Sequence, residues 1–461
     1  MLDLSRPLRL HLLPIGGSGI GPLASILARM GHHVSGCDQV PSARLEGLAA
    51  QGIEVAVGHD PAHLLGADAV VASAAIPEGE PELVAARRRG LAVVSRRSAL
   101  AALCHQRRTL AVGGTHGKTT TTALLATVLR QAGMAPSFLV GGDVPGLGGA
   151  SWDGGEWFVV EADESDGTFL DLGAEAVIVT SVEPDHLDHH GDLRGLHDAF
   201  DRFVRQAPGS RIVCSDDPGA AELARHVECL TYGTAPGARF RLAEVELGRS
   251  ATAFTLSDGG TEVARLQVPV PGLHNARNAA AAAVAALCLG AAVADVVAGV
   301  ASFAGVARRF EMRGHAGGIT FVDSYDHLPG EVAAALAAAR DGAWDRIVCV
   351  FQPHRYTRTA ALWQEFGHSF DGADLLAVTE IYPAGQRPIP GVSGKLIVDA
   401  ALDARPGRRV AWLPGRDDVT RWLLAELRPG DLCLTLGAGD LTTLPGEVMA
   451  ALAATPGAGG R

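Results

Sequence analysis

The segment LAVGGTHGKTTTTALLATVL, residues 110–129, sets a lysine and a run of threonines behind a glycine pair. Glycine-Lys-Thr at the start of a helix is phosphate chemistry. Backbone N–H groups and the helix N-terminus favour an anion there. Lys118 can bridge terminal phosphates, and the Thr119 hydroxyl can bind Mg²⁺. The spacing is not that of the usual phosphate loop, whose first glycine would fall where Val112 stands. What remains is a shortened loop of Gly114, Thr115, His116, Gly117, Lys118 and Thr119, with Thr120 behind it.

Two acidic segments follow apolar runs. VVEADESDGTF carries Glu161, Asp163, Glu164 and Asp166, and VTSVEPDHLDHHGD carries Glu183, Asp185, His186, Asp188, His189 and His190. If their strands are adjacent and parallel, both ends meet beside the phosphate loop. Carboxylates with one imidazole at that place suit Mg²⁺ or Mn²⁺. Each cluster alone reads as a solvated acidic loop; with Lys118 and Thr119 it reads as a metal site. Near the N-terminus PIGGSGIG precedes Asp38 by about twenty residues, as in a dinucleotide fingerprint, but Pro14 stands where the first turn wants glycine. That loop suits a phosphate or diphosphate, including that of NAD, although an oxidoreductase leaves GKTTTT unexplained. Late in the chain FQPHRYTRT offers His354, Arg355 and Arg358, and VDSYDHLP offers Asp323, Tyr325 and His327. Arginine holds a carboxylate bidentately, so a substrate carboxylate fits this group.

The elements needed to position these groups follow from the pattern. Short apolar runs separated by helix-length segments imply an α/β protein of parallel sheets with crossover helices, whose functional loops gather at the carboxyl ends of the strands. Three blocks emerge, at residues 1–107, 108–310 and 311–461, in keeping with a length of 461 residues. With 47% hydrophobic residues the chain can bury several cores. The net charge of −12 argues against a nucleic-acid or anionic-membrane partner, which needs a dense basic surface. Seven cysteines without a CxxC pair give no zinc-knuckle or redox spacing; most, as in RIVCV, read as small core residues of a protein in a reducing cytoplasm. The alanine-rich run from Ala279 to Ala294 is too short to span a bilayer and reads as a buried helix. The tail TPGAGGR reads as disordered.

Taken together and in order, GTHGKTTTT, EADESDGTFL, EPDHLD, PGLHNARNAAAA, GVARRFE, FQPHRYTRT and YPAG resemble the Mur ligase family of ATP-dependent amino-acid ligases, over nearly the whole chain. EADESDGTFL and FQPHRYTRT are the most discriminating and point to its alanine-adding branch. The resemblance implies a Rossmann-like N-terminal domain for a UDP-sugar, a central P-loop ATPase domain and a Rossmann-like C-terminal domain bringing the amino acid. It implies cytoplasmic ligation of L-alanine to the lactyl carboxylate of UDP-N-acetylmuramate through an acyl phosphate, in peptidoglycan synthesis, with ATP and Mg²⁺. Carried across, Lys118, Glu161 and His186 are catalytic, and Thr119, Glu161 and His186 hold metal. The phosphate loop with His274, Asn275, Asn278 and Arg308 holds ATP. Gly16, Gly17, Ser18, Gly19 and Asp38 hold the UDP-sugar, while Tyr325, His327, His354, Arg355 and Arg358 hold the amino acid. The chain departs from the family pattern at Pro14, Ser181, Leu328, Gly330 and Gln386. Those last three leave a second reading open, a paralogue with another amino acid or carboxylate acceptor. Oligomeric state is not legible.

Overall fold

A computed structural model of the chain describes residues 2–185 and 187–454. His186 and the tail TPGAGGR, both singled out above, lie outside the described residues. Contacts divide the chain into two compact units, one of Met1–Ala243, Thr255–Leu266 and Arg277–Ala304, the other of Glu244–Phe254, Gln267–Ala276 and Gly305–Arg461.

The first unit opens with a five-stranded parallel sheet in the order Glu54–Val57, His33–Asp38, Arg9–Leu13, Ala69–Ala72, Ala92–Ser95. The chain moves outward from the central strand first one way and then the other. That leaves the loop after Leu13 at the point where strand order reverses, which is where such sheets take ligands. The central strands are mostly apolar because helices cover both faces: Leu10, Leu12, Val70 and Val71 are buried, and His11 between the leucines is buried with them.

A second sheet is built around Arg108–Gly113, which pairs in parallel with Trp157–Glu161 on one side and Ala176–Val179 on the other. The two acid-bearing strands are therefore not adjacent, as the sequence reading had them; they flank the phosphate-loop strand. Their carboxyl ends still converge on it, because parallel neighbours end together. Ser137–Leu139 extends the sheet beyond Trp157–Glu161, and Arg211–Cys214 and Leu230–Gly233 extend it the other way. Three further strands, Phe240–Leu247, Thr252–Asp258 and Thr261–Val268, with Ala150–Ser151 antiparallel to Ser137–Leu139 at the other edge, complete a sheet of ten among the described residues. Their sequences alternate apolar and polar residues, as in FRLAEVEL, the pattern of strands with one solvated face.

The alanine-rich run is two helices. Leu273–Cys288 ends before Gly290, whose φ of +93° breaks the helix, and Val293–Ala301 follows. Ala279 to Ala286 are buried as expected, whereas Cys288 at the helix end is exposed. In the second unit a six-stranded sheet runs Glu311–Ala316, Ile319–Ser324, Asp431–Leu436, Arg346–Phe351, Leu375–Val378, Val410–Trp412, antiparallel only at its first pair.

Candidate active site

The phosphate loop is shaped by two positions that only glycine fits. Gly114 takes a φ of +132° against the Thr180 hydroxyl, and Gly117 takes +77° where a Cβ would meet Asn278 Oδ1 at 2.6 Å. Between them the chain is pinned from the neighbouring strand end. The His116 N–H donates to Ser181 Oγ at 2.9 Å, the Thr180 hydroxyl donates to the His116 carbonyl, and the Glu183 N–H donates to Thr115 Oγ1 at 2.9 Å. Ser181, one of the departures from the family pattern, thus supplies an acceptor to the loop.

Helix Lys118–Gln131 starts on four consecutive threonines, poor helix formers by χ1 restriction. Their hydroxyls are bonded: Thr122 Oγ1 donates back along the helix to the Lys118 carbonyl at 2.8 Å, and Thr121 Oγ1 donates across to Asn278 Oδ1 at 3.2 Å. The helix also packs closely on Val293–Ala301, where Gly299 lies against Val128.

Lys118 Nζ donates to the Gly114 carbonyl at 2.5 Å, the Thr115 carbonyl at 3.2 Å and Glu164 Oε1 at 2.9 Å. Burial disfavours its charge, but the carboxylates of Glu164, Glu161 and Asp163 outweigh that and raise its pKa. Burial raises the pKa of Glu164. For Asp163 burial acts in the same sense, yet Lys118, the Ser165 N–H and Arg96 together hold its pKa below the usual carboxylate range. Thr119 Oγ1 lies 3.1 Å from Glu161 Oε1, and the Gly141 N–H fixes the other oxygen of Glu161 at 2.8 Å. The hydroxyl and carboxylate expected to share a metal are therefore brought together; their third partner, His186, is not described. On the same side His190 Nε2 is 2.9 Å from the Glu164 carbonyl.

The N-terminal glycine loop also forms as expected. Asp38, at the end of its strand, accepts the Gly16 N–H at 3.1 Å, and a Cβ on Gly16 would collide with that carboxylate. Three arginines missed in the sequence gather here. Arg44 donates to the Gly16 carbonyl at 2.8 Å, and Arg96 Nε to the Gly19 carbonyl at 3.3 Å. Arg97 reaches the acidic segment, with Nε 2.5 Å from Asp171 Oδ2 and NH1 3.1 Å from the Asp166 carbonyl. The signal was VVSRRSA, a strand ending in a helix-capping Ser95 with two arginines behind it. Through Arg96 and Arg97 the glycine loop and the carboxylates around Lys118 become one electrostatic neighbourhood within the first unit.

On helix Leu273–Cys288, Asn278 faces Gly117, whereas Asn275, one turn earlier, donates to the Pro271 carbonyl at 2.7 Å. His274 lies next to the positive-φ Gly272. Arg277 Nε donates to Asp216 Oδ2 at 2.7 Å, a pairing the sequence reading did not include.

The amino-acid candidates converge in the second unit. Tyr325 and His327 lie edge to face at 5.4 Å, His327 and His354 likewise at 5.4 Å, and His354 stacks on Tyr382 at 5.9 Å. Arg358 NH1 is 3.2 Å from His354 Nδ1. Arg308 lies over the Tyr325 ring at 5.0 Å and donates to the Gly437 carbonyl at 2.7 Å. Burial pushes the pKa of both His327 and His354 down to about 4, the arginines adding to it for His354. Arg308 and Arg355 adopt φ of +60° and +59°, a strain that clusters at ligand sites. Arg355 Nε is buried with no hydrogen-bond partner, a donor ready for a ligand oxygen. Of the departures here, Leu328 is buried and caps helix Pro329–Arg340 through its N–H to Glu331, and Gln386 braces Thr357 with two bonds of 2.9 and 3.1 Å. Both serve the scaffold.

The sequence matches the Mur ligase family, catalytic domain, over residues 9–108, the Mur ligase middle domain over 112–286, and the Mur ligase, glutamate ligase domain over 308–439. It is 45% identical to a UDP-N-acetylmuramate–L-alanine ligase of Acidothermus cellulolyticus, covering 98% of this chain and 96% of that one. To the protein of the same name from Kineococcus radiotolerans it is 48% identical, with 96% of each covered. Among solved structures, the UDP-N-acetylmuramate-alanine ligase of Thermotoga maritima aligns with a TM-score of 0.82 at 26% identity, covering 97% of this chain and 100% of that one. A murein peptide ligase of Psychrobacter arcticus aligns less closely, with a TM-score of 0.70 at 25% identity over 98% and 100%.

Proposed function

The chain belongs to the Mur ligase family, and from that premise we propose that it joins L-alanine to the lactyl carboxylate of UDP-N-acetylmuramate at the expense of ATP, in peptidoglycan synthesis. Relatives named for that reaction match it at 45% and 48% identity over nearly its whole length. The geometric observation that carries the reading is Lys118, held by Glu164 over the Gly114 carbonyl, with Thr119 against Glu161 at the end of the adjacent strand. That is a set of parts for moving a phosphoryl group to an oxygen nucleophile.

Residues 1–107 take the UDP-sugar, with the Gly16–Gly19 turn on the diphosphate and Asp38 bracing it. Residues 108–310 take ATP. The N–H groups of Gly114 to Thr120 face its phosphates, and Asn278 with His274 and Asn275 takes the nucleoside side. Lys118 stabilises the charge that develops on the transferred phosphoryl group, and its work is alignment and electrostatics. The donor set of a hydroxyl and a carboxylate fits Mg²⁺, which when bound supplies charge neutralisation of the phosphates; Thr119 and Glu161 would hold it, with His186 a third candidate. Arg96 and Arg97 draw the sugar's carboxylate toward the phosphate loop. Residues 311–461 take the amino acid. Arg355 and Arg358 hold its carboxylate, and the imidazoles of His327 and His354, kept neutral by burial, can accept hydrogen bonds from its ammonium.

The test is phosphate release from ATP with UDP-N-acetylmuramate, offering the amino acids one at a time. Release with L-alanine well above all others is expected. A preference for another amino acid would make Leu328, Gly330 and Gln386 marks of a re-tuned ligase.

A further inference from the structure

Away from the ligase groups, the first sheet closes over a cluster of unusual composition. His11 lies in strand Arg9–Leu13, Cys37 is next to last in His33–Asp38, His63 sits on the short turn Pro61–Leu64, and Glu82 opens helix Pro81–Arg88. One donor atom from each of the four lies within 4.8 Å of all the others. Glu82 is the hub. Its Oε1 is 2.7 Å from His63 Nδ1, and its Oε2 is 3.0 Å from Cys37 Sγ and 3.6 Å from His11 Nε2. His59 stands beside them, Nδ1 3.0 Å from Cys37 Sγ.

A self-satisfied polar network is the plain alternative, and one observation goes against it. His11 is 1% exposed, and its Nε2 points into the cluster, 3.6 Å from Glu82 Oε2 and with no hydrogen-bond partner among the described residues. Its other nitrogen, Nδ1, is held by Ser35 Oγ at 2.9 Å. That is how a metal-ligating imidazole is oriented, with the far nitrogen fixed and the near one presented. Glu82 has no exposed surface, and the Asp60 N–H also fixes its Oε1 at 3.0 Å. Glu82 is therefore a buried carboxylate facing three imidazoles and a thiol, a centre whose donor types a cation can share.

We propose that His11, Cys37, His63 and Glu82 form a zinc-binding site, separate from the ATP-linked metal. One thiolate, two imidazoles and a carboxylate are the ligand types of Zn²⁺, and tetrahedral zinc separates such atoms by roughly 3.3–3.8 Å. The separations, 2.7 Å for the shortest pair and no more than 4.8 Å for any, bracket that range. On binding, the Cys37 thiol releases its proton to solvent, so affinity rises with pH. The metal ties together two strands, the turn Pro61–Leu64 and helix Pro81–Arg88, which already touch through the side-chain bonds of Glu82. It also fixes the strand end where Asp38, the next residue, braces the glycine loop.

The experiment uses the full chain, stripped with chelator, kept reduced and held in excess Mg²⁺ so that the hard-oxygen site is occupied. It is titrated with Co²⁺ as the spectroscopic probe and then with Zn²⁺. One equivalent of Co²⁺ is expected to raise a thiolate-to-metal band in the near ultraviolet together with tetrahedral visible bands, and Zn²⁺ should abolish both. Absence of the thiolate band in the folded wild-type chain overturns the proposal. Cys37→Ser should lose the band, and its persistence there, from some other cysteine, also overturns it. Should Cys37→Ser fail to fold, His63→Ala at the partly exposed corner should bind Co²⁺ at least tenfold more weakly, and unchanged affinity in that variant counts against the site.

Discussion

At the scale of single residues, the two most informative groups are ones whose charge state is set by their neighbours. Lys118 and Glu164 form a buried pair, 15% and 2% exposed. Removing one partner of such a pair costs about 3–5 kcal/mol, because the other charge is left without compensation. Lys118→Ala is therefore expected to lower both turnover, by about a thousandfold or more, and stability. The double variant Lys118→Ala with Glu164→Gln should recover most of the stability and none of the turnover. Recovery of turnover there would remove Lys118 from phosphoryl transfer; denaturant unfolding beside phosphate-release assays reads both. His327 and His354 give a pH prediction. Burial holds both near 4, against about 6.5 in an unfolded chain. As pH falls below about 6.5 the unfolded chain binds protons that the native one does not, so stability drops toward pH 4, by up to about 3 kcal/mol for the fully buried His327 and by less for the more exposed, solvent-screened His354. His327→Gln should flatten that acid loss, seen as a smaller fall in unfolding midpoint between pH 7 and pH 5 than in the wild type.

At the scale of elements, the phosphate loop depends on backbone shape more than on side chains. Gly117 caps helix Lys118–Gln131 in the left-handed region, with Asn278 Oδ1 filling the space a Cβ would take. Gly117→Ala combines strain of about 1–3 kcal/mol with displacement of Asn278, and its ATP KM should rise at least tenfold. The KM for L-alanine should change little. Equal changes in both would mean that the loop does not bind the nucleotide. The same element shows how far spacing misleads. Judged against the longer phosphate loop, the missing glycine at Val112 looks like a failed motif. In the structure Val112 is a fully buried strand residue, and the turn begins two residues later at Gly114.

At the scale of the whole molecule, the chemistry is divided between two compact units, each with its own cluster of site groups. The glycine loop, Arg96, Arg97 and the phosphate loop belong to the first, and the arginines and imidazoles near Tyr325 to the second. This division makes the two half-reactions separable. Arg355→Ala should raise the L-alanine KM far more than that of ATP. Supplied with ATP, UDP-N-acetylmuramate and hydroxylamine but no amino acid, it should still form the hydroxamate at a rate within a few-fold of wild type. Loss of hydroxamate formation in a folded Arg355→Ala protein would place that arginine in carboxylate activation. No described helix is long and apolar enough to cross a membrane.

The sequence by itself determined the buried strands that carry the site loops. Apolar runs closing on glycine, acid or arginine announce buried parallel strands with functional carboxyl ends, and every such run named in the sequence proved to be a strand. Residue types with strict local requirements, as in GTHGKT and FQPHRYTRT, were legible for the same reason, because their chemistry depends on neighbours a few positions away. Only the tertiary structure decided strand order, and with it the placing of Arg108–Gly113 between the two acid-bearing strands. Pairing is a choice among many equally apolar strands and leaves no local mark. It likewise brought Arg96 and Arg97 to the glycine loop, and drew His11, Cys37, His63 and Glu82 from four segments into one cluster. No spacing in the chain encodes a meeting that four separate elements make across the face of a sheet.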